Sequence, residues 1–309
     1  MNLDKNGLVN DFKRWKKCFI SSIIAKGNQK NTISLYSYNI DEFILFITEF
    51  TDLDKLSMIN KQTIEQWVNY LLNDIEMERS TVKSKLVMIK AFIMYITIEN
   101  EELIDISRKI ENIKIKVESK EKDGYIDEDI EKVLNYLERL KTSSNRKMLN
   151  PYTKNLYFKI FYYTGIRAAE LLTIKYSNIV YLPNEEVYKI KVLGKGQKER
   201  FVYIVGEYIN DELENIPRYS DYICTKRSKK LYITREIYSM FDSFFTGAGL
   251  RFGGLHKFRH TFARRLVSND TNLTTIQELL GHSNIQTTAK FYAKTNENNK
   301  IRAMINSLR

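Results

Sequence analysis

Residues 185–205 read EEVYKIKVLGKGQKERFVYIV. Apolar and polar residues alternate on both sides of the segment GKGQK, which is the period of a half-buried strand. The spacing predicts a β-hairpin with strands over about 186–193 and 199–205. Just upstream, LLTIKYSNIVYL (residues 171–182) offers one further strand. Elsewhere the spacing is helical, so the expected fold is mainly α with a small antiparallel β-sheet (α+β).

Toward the N-terminus, residues 8–110 carry helical periodicity with almost no glycine and no proline to interrupt it. Helices are expected near 8–25, 31–50, 60–75 and 80–98. In the second, Ile33, Tyr36, Ile40, Phe43, Phe46 and Ile47 repeat at helical spacing behind Thr32, a candidate N-cap. In the fourth, Val82, Leu86, Ile89 and Ile93 form a core stripe, and Lys83, Lys85 and Lys90 are expected off it. The pattern breaks in NIKIKVESKEKDG, a charged stretch ending at Gly124 that suits a linker. YIDEDIEKVLNYLERL then starts a new helix with Asp127 as N-cap. The expected organisation is a helical domain over 1–115, a linker over 116–125 and a second domain over 126–309 that ends in a tail helix.

Composition narrows the function. The chain has 309 residues, 43% hydrophobic and 28% charged, which excludes a disordered chain. No apolar run reaches ~18 residues, and the N-terminus lacks the features of a signal peptide, so a cytoplasmic protein with no membrane partner is expected. Cys18 and Cys224 lie far apart and form neither a disulfide framework nor a metal half-site. The net charge of +11 is uneven: residues 1–120 hold 18 basic and 17 acidic residues, and residues 121–309 hold 31 and 21. A basic half implies a polyanionic partner.

All three histidines lie near the C-terminus, two of them in LHKFRHTFARRL (residues 255–266). His256 and His260 share a helix face, as zinc ligands would. A metalloprotease needs Glu as general base at the second position of HExxH, where this chain has Lys257, so no metal is expected. A phosphate reading fits better: His256 and Arg259 share a face, and a guanidinium can grip two phosphate oxygens. In FYYTGIRAAELLTIKY, Arg167 follows a Thr-Gly turn and Glu170 comes three residues later. Glu170 either holds a buried Arg167 in place or forms an ordinary i, i+3 helix pair with it. The only tyrosine after Arg259 is Tyr292, whose phenol becomes a useful nucleophile only where a base or a cationic field favours the phenolate.

TGIRAAEL, LGKGQKERFVYI, LHKFRHTFARRL and LLGHSNIQTTAKFY occur in that order, and together they resemble the signatures of the tyrosine recombinases, the phage-integrase family that includes Xer proteins and Cre. The resemblance covers nearly the whole chain. It implies a core-binding domain followed by a catalytic domain, closing as a C-shaped clamp on double-stranded DNA with paired recombination sites. It implies that Arg167 and Arg259 clamp the scissile phosphate and that Tyr292 attacks it to form a 3′-phosphotyrosyl link. His256 would act as general base or orient the phosphate, Lys195 would protonate the 5′-oxygen, and His282 would donate a hydrogen bond. Glu170 and His260 would be structural supports. Lys198 and Arg200, with Lys83 and Lys85 in the first domain, would contact the DNA backbone. No metal and no ATP would be needed.

The resemblance further implies dimers and tetramers on DNA, with a tail carrying Ile301, Met304, Ile305 and Leu308 docked on a neighbouring protomer. Because the first helices begin near residue 8, with no room for an arm-binding domain, an Xer-like or mobile-element resolution role is expected, with integration as the variant. The rival readings are a type IB topoisomerase and a catalytically silent DNA-binding relative. Two departures stand out. Phe258 replaces the usual Leu of HxLRH, and Tyr292 lies ten residues after His282, where nine is common and Phe291 takes the usual slot.

Overall fold

The structure is a computed structural model that describes residues 5–100, 110, 112–117, 124–142, 150–281, 289 and 304. It divides into two compact units, 1–120 and 121–309. The chain is mainly α with one three-stranded antiparallel sheet. No described helix is long and apolar enough to cross a membrane.

The first unit is helical. Its elements are α1 (Lys5–Ala25), α2 (Lys30–Phe50), α3 (Lys61–Asn69), prolonged by a π turn (Tyr70–Asp74), and α4 (Arg79–Glu99). The apolar stripes meet in an aromatic core, where Phe43 stands edge-on to Phe12 at 6.1 Å and to Trp67 at 5.2 Å. Asn60 caps α3 by accepting from Thr63 N at 3.1 Å, with Thr63 returning the bond in a capping box. α2 starts before Thr32: the cap position falls on Gln29, whose backbone is extended and whose side chain makes no capping bond.

The structure corrects the expectation for Lys85. Val82, Leu86, Ile89 and Ile93 are buried as predicted, but Lys85 is buried with them. Its Nζ donates to Asn39 Oδ1 at 2.9 Å and pairs closely with Glu42. Asn39 in turn donates to Leu35 O at 2.8 Å. A lysine held this way is an internal tie between α2 and α4. Lys83, two residues earlier, is exposed.

The second unit is built around α6 (Pro151–Thr164), which is buried over most of its surface. α5 (Asp127–Lys141), α8 (Asn210–Asn215) and α10 (Leu255–Ser268) pack on it, as does one edge of the sheet. Asp127 is the first residue inside α5 and Ile126 holds the cap position, so the acidic first turn faces the positive end of the helix dipole. Phe158 and Phe161 of α6 meet Phe241 of α9 (Thr234–Gly247) and Phe258 of α10, with Phe158 to Phe258 at 5.2 Å and Phe161 to Phe241 at 5.0 Å. Phe258 is fully buried at the centre of this ring cluster, so the aromatic residue in place of Leu serves as core packing.

The sheet runs β1 (Ile179–Leu182), β2 (Val187–Leu193), β3 (Glu199–Val205), each antiparallel to the next. Ile190 faces Val202 and Val192 faces Arg200. Ile190, Val192, Val202 and Ile204 are buried, so Arg200 lies on the inward face of β3. The chain turns at Lys195–Gln197, closed by Gly194 N donating to Lys198 O at 2.8 Å. The linker expected to run to residue 125 ends earlier. Tyr125 N donates to Thr261 Oγ1 at 2.7 Å, and a Cβ at Gly124 would stand 2.9 Å from Thr261 N, so both residues are fixed on α10.

Candidate active site

Gly165 ends α6 in the left-handed region at φ 58°, where its N–H donates to Phe161 O at 3.0 Å. A Cβ there would stand 2.9 Å from Phe262 Cδ1 of α10, so glycine is required both by φ and by the close approach. The turn delivers Arg167 in an extended conformation at the start of α7 (Ala168–Leu171). Glu170 folds back, accepting from Arg167 N at 2.7 Å and from Arg167 Nη1 at 2.9 Å.

Glu170 is 1% exposed and also receives Arg200 Nη2 at 2.7 Å. One buried carboxylate thus sits between two guanidinium groups. Arg200 was expected on the DNA backbone; in the structure its side chain is 10% exposed and bonded to internal acceptors. Lys198, at the end of the turn, is exposed, and Lys195 opens the same turn.

Arg259 enters from α10 on the other side. It is 5% exposed, with Nη1 donating to Gly165 O at 3.0 Å and Nη2 to Leu280 O. Burial, reinforced by nearby Arg167, pushes its guanidinium down to about 9, which leaves it a cation at neutral pH. Burial lowers Arg200 too, opposed by Glu170. His256, one turn before Arg259, is exposed on the first turn of α10, and His260 is half-buried. His282 and Tyr292 lie outside the described residues.

The three arginines share a feature that motif reading missed. α11 (Leu273–Leu280) ends at Gly281, left-handed at φ 64°. Its last carbonyls are taken one each: Leu279 O by Arg200 Nη1 at 2.6 Å, Leu280 O by Arg259, and Gly281 O by Arg167 Nη2 at 3.2 Å. Guanidinium groups suit the negative end of a helix dipole and satisfy carbonyls that no further turn can bond. The signal for Arg200 was present in the strand period, because Val202 and Ile204 point inward and a residue two positions before Val202 must do the same.

Three guanidinium groups against one carboxylate leave a net charge of +2 in a nearly dry cluster. Each terminal nitrogen that bonds a carbonyl or Glu170 uses one of a guanidinium's five N–H groups, so Arg167 and Arg259 each retain further donors. Arg167 is the member that reaches solvent, with a third of its side chain exposed. Net positive charge with spare N–H donors is the chemistry that an oxyanion requires.

The mainly helical architecture with its small sheet is that of the integrase fold, and it encloses this cationic cluster. Residues 127–299 match the family model described as the phage integrase family. The chain belongs to that family, the tyrosine recombinases that its motifs resemble. It is similar to tyrosine recombinase XerC of Leptospira interrogans, 27% identical over 291 residues that cover 91% of this chain and 89% of that one. It is also similar to XerC of Staphylococcus aureus strain MRSA252, 25% identical over 292 residues, covering 91% and 92%. Among solved structures, XerH bound to a palindromic difH substrate in a post-cleavage complex superposes with a TM-score of 0.74 at 22% identity, over 91% of this chain and 81% of that one. A lambda integrase dimer on a COC′ core site superposes with a TM-score of 0.68 at 16% identity, over 90% and 76%.

Proposed function

We propose that this chain is a site-specific DNA recombinase of the Xer type, which cleaves and rejoins DNA strands through a 3′-phosphotyrosyl intermediate at Tyr292. The observation that carries the mechanism is the charge balance around Glu170. A phosphodiester carries one negative charge, and the pentavalent transition state formed by attack on phosphorus carries more. A rigid +2 cluster therefore binds the transition state more strongly than the ground state, which is the condition for catalysis. Arg167 and Arg259 hold the non-bridging oxygens. His256, exposed one turn before Arg259, takes the phenolic proton or orients the phosphate. Lys195, in the hairpin turn, protonates the departing 5′-oxygen, and His282 donates to the phosphate. The phosphotyrosyl ester conserves the bond energy for rejoining, so the residues alone supply the chemistry, without metal or ATP.

The likeness to DNA-bound XerH and lambda integrase supports a duplex DNA partner. The lambda integrase tetramer bound to a Holliday junction supports assembly on paired sites. Lys83 and Lys198, both exposed, are assigned to the DNA backbone, and His260 to support of α10. We further assign the tail, whose Ile301, Ile305 and Leu308 lie outside the described residues, to a neighbouring protomer. The chain truncated after residue 295 should bind single sites normally but lose cooperative binding to paired sites in gel-shift titrations. Unchanged cooperativity would place the tail on its own domain.

The central test is covalent capture. Nicked duplexes of randomised core sequence, from which the cleaved strand's short fragment diffuses away, should trap the protein as a covalent adduct. Tyr292→Phe should form none. An adduct that survives this substitution would move the nucleophile elsewhere.

A further inference from the structure

Arg200 ties together three separate segments that carry proposed catalytic groups. It belongs to β3, two residues after Lys198, whose carbonyl closes the turn that holds Lys195. Its Nη2 reaches Glu170, which holds Arg167, and its Nη1 reaches Leu279 O at the end of α11, three residues before His282. We propose that Arg200 is a positioning residue that fixes the hairpin, Glu170 and the end of α11 in one geometry, and so sets where Arg167 stands and how the hairpin turn and the end of α11 are held, without itself contacting DNA.

Three observations carry this. The side chain is 10% exposed and its two terminal nitrogens bond acceptors on different segments. A planar fork with two outward nitrogens can do this, whereas the single ammonium of lysine cannot span both acceptors in the same way. Gly281 is matched to it: a Cβ there would stand 2.7 Å from Arg200 Cδ and 2.8 Å from Arg200 Nε. Glycine in the Leu-Gly-His segment therefore meets two needs, the left-handed cap of α11 and the room for the Arg200 stem. Finally, both guanidinium groups bond Glu170, Arg167 Nη1 on Oε1 and Arg200 Nη2 on Oε2, which also accepts from Arg167 N. A shift of one guanidinium is thus felt by the other through a rigid carboxylate.

The inference rests on the proposed strand-transfer reading, and the experiment separates the two. Arg200→Lys and Gly281→Ala are compared with wild type and with Tyr292→Phe, using a nicked duplex captured by the wild type. At saturating DNA, Arg200→Lys should form the adduct on the order of 10²-fold more slowly, the scale expected when reacting groups are displaced by about 1 Å. Its DNA affinity and the salt dependence of that affinity should stay at wild-type values. Gly281→Ala should behave alike, because its Cβ displaces the same side chain. Amide hydrogen exchange without DNA should quicken in Arg200→Lys at residues 276–281 and 194–198, and not across the unit. A wild-type cleavage rate, or unchanged exchange in these two segments, overturns the positioning role whatever Tyr292→Phe does. So does weaker binding with a salt slope lower by about one, which would make Arg200 a phosphate contact. An adduct that persists in Tyr292→Phe while Arg200→Lys is slowed overturns the nucleophile assignment alone and leaves the positioning role standing.

Discussion

Glu170 is the hinge of the site's electrostatics. It is buried, it accepts from two guanidinium groups and one backbone N–H, and among the described residues it is the carboxylate that pairs with them. Removing one partner of a buried ion pair leaves the other uncompensated, which costs about 3–5 kcal/mol. Glu170→Gln keeps the shape but removes the charge, leaving Arg167, Arg200 and Arg259 to repel one another. The expected outcome is a loss of about that size in denaturant unfolding of the full chain. Glu170→Asp, which keeps the charge on a shorter stem, should recover part of it. A change below about 1 kcal/mol would show that solvent reaches the cluster and screens it.

At the scale of elements, the segments that present the site end or turn where glycine allows it. Gly165→Ala forces a left-handed residue to carry a Cβ, about 1–2 kcal/mol in itself, and drives that Cβ against Phe262. The carbonyl of Gly165 also receives Arg259, so the displacement moves a proposed catalytic guanidinium. The expected outcome is a loss of about 2 kcal/mol or more in stability, together with slower adduct formation. Loss of stability with an unchanged rate would uncouple the turn from Arg259. Element by element, periodicity made much of the fold legible. The hairpin was predicted over 186–193 and 199–205 and lies over Val187–Leu193 and Glu199–Val205. Helix starts were less legible, since Thr32 and Asp127 look like caps while the caps fall on Gln29 and Ile126. Periodicity shows that a helix forms, but residue type at the boundary does not by itself fix the first turn, and neither Gln29 nor Ile126 makes a side-chain capping bond. The pairing of Arg167 with Glu170 was visible in the spacing. The bonds from Arg200, Arg259 and Arg167 to Leu279, Leu280 and Gly281 were not, because they join residues 21 to 114 positions apart and end on carbonyls that no side-chain pattern records.

For the molecule as a whole, basic residues matter by where they point. The second unit carries most of the excess positive charge, yet one of its arginines, Arg200, has a side chain only 10% exposed and bonded to internal acceptors. Net charge therefore overstates the number of cations that can meet DNA. The first unit gives the cleanest comparison, since Lys83 and Lys85 stand two residues apart on α4 with opposite exposure. Affinity for a duplex falls with salt in proportion to the phosphates neutralised, so each true contact contributes about one to the slope of log affinity against log salt. Lys83→Ala should lower that slope by about one and leave unfolding stability within about 0.5 kcal/mol of wild type. Lys85→Met should leave the slope unchanged and cost about 1–3 kcal/mol, because Asn39 and Glu42 lose their buried donor. The measurement is a pair of salt titrations by fluorescence anisotropy and a pair of denaturant curves. A slope lowered by Lys85→Met would mean that the lysine leaves its buried pair to bind DNA, and a slope unmoved by Lys83→Ala would take α4 away from the backbone altogether.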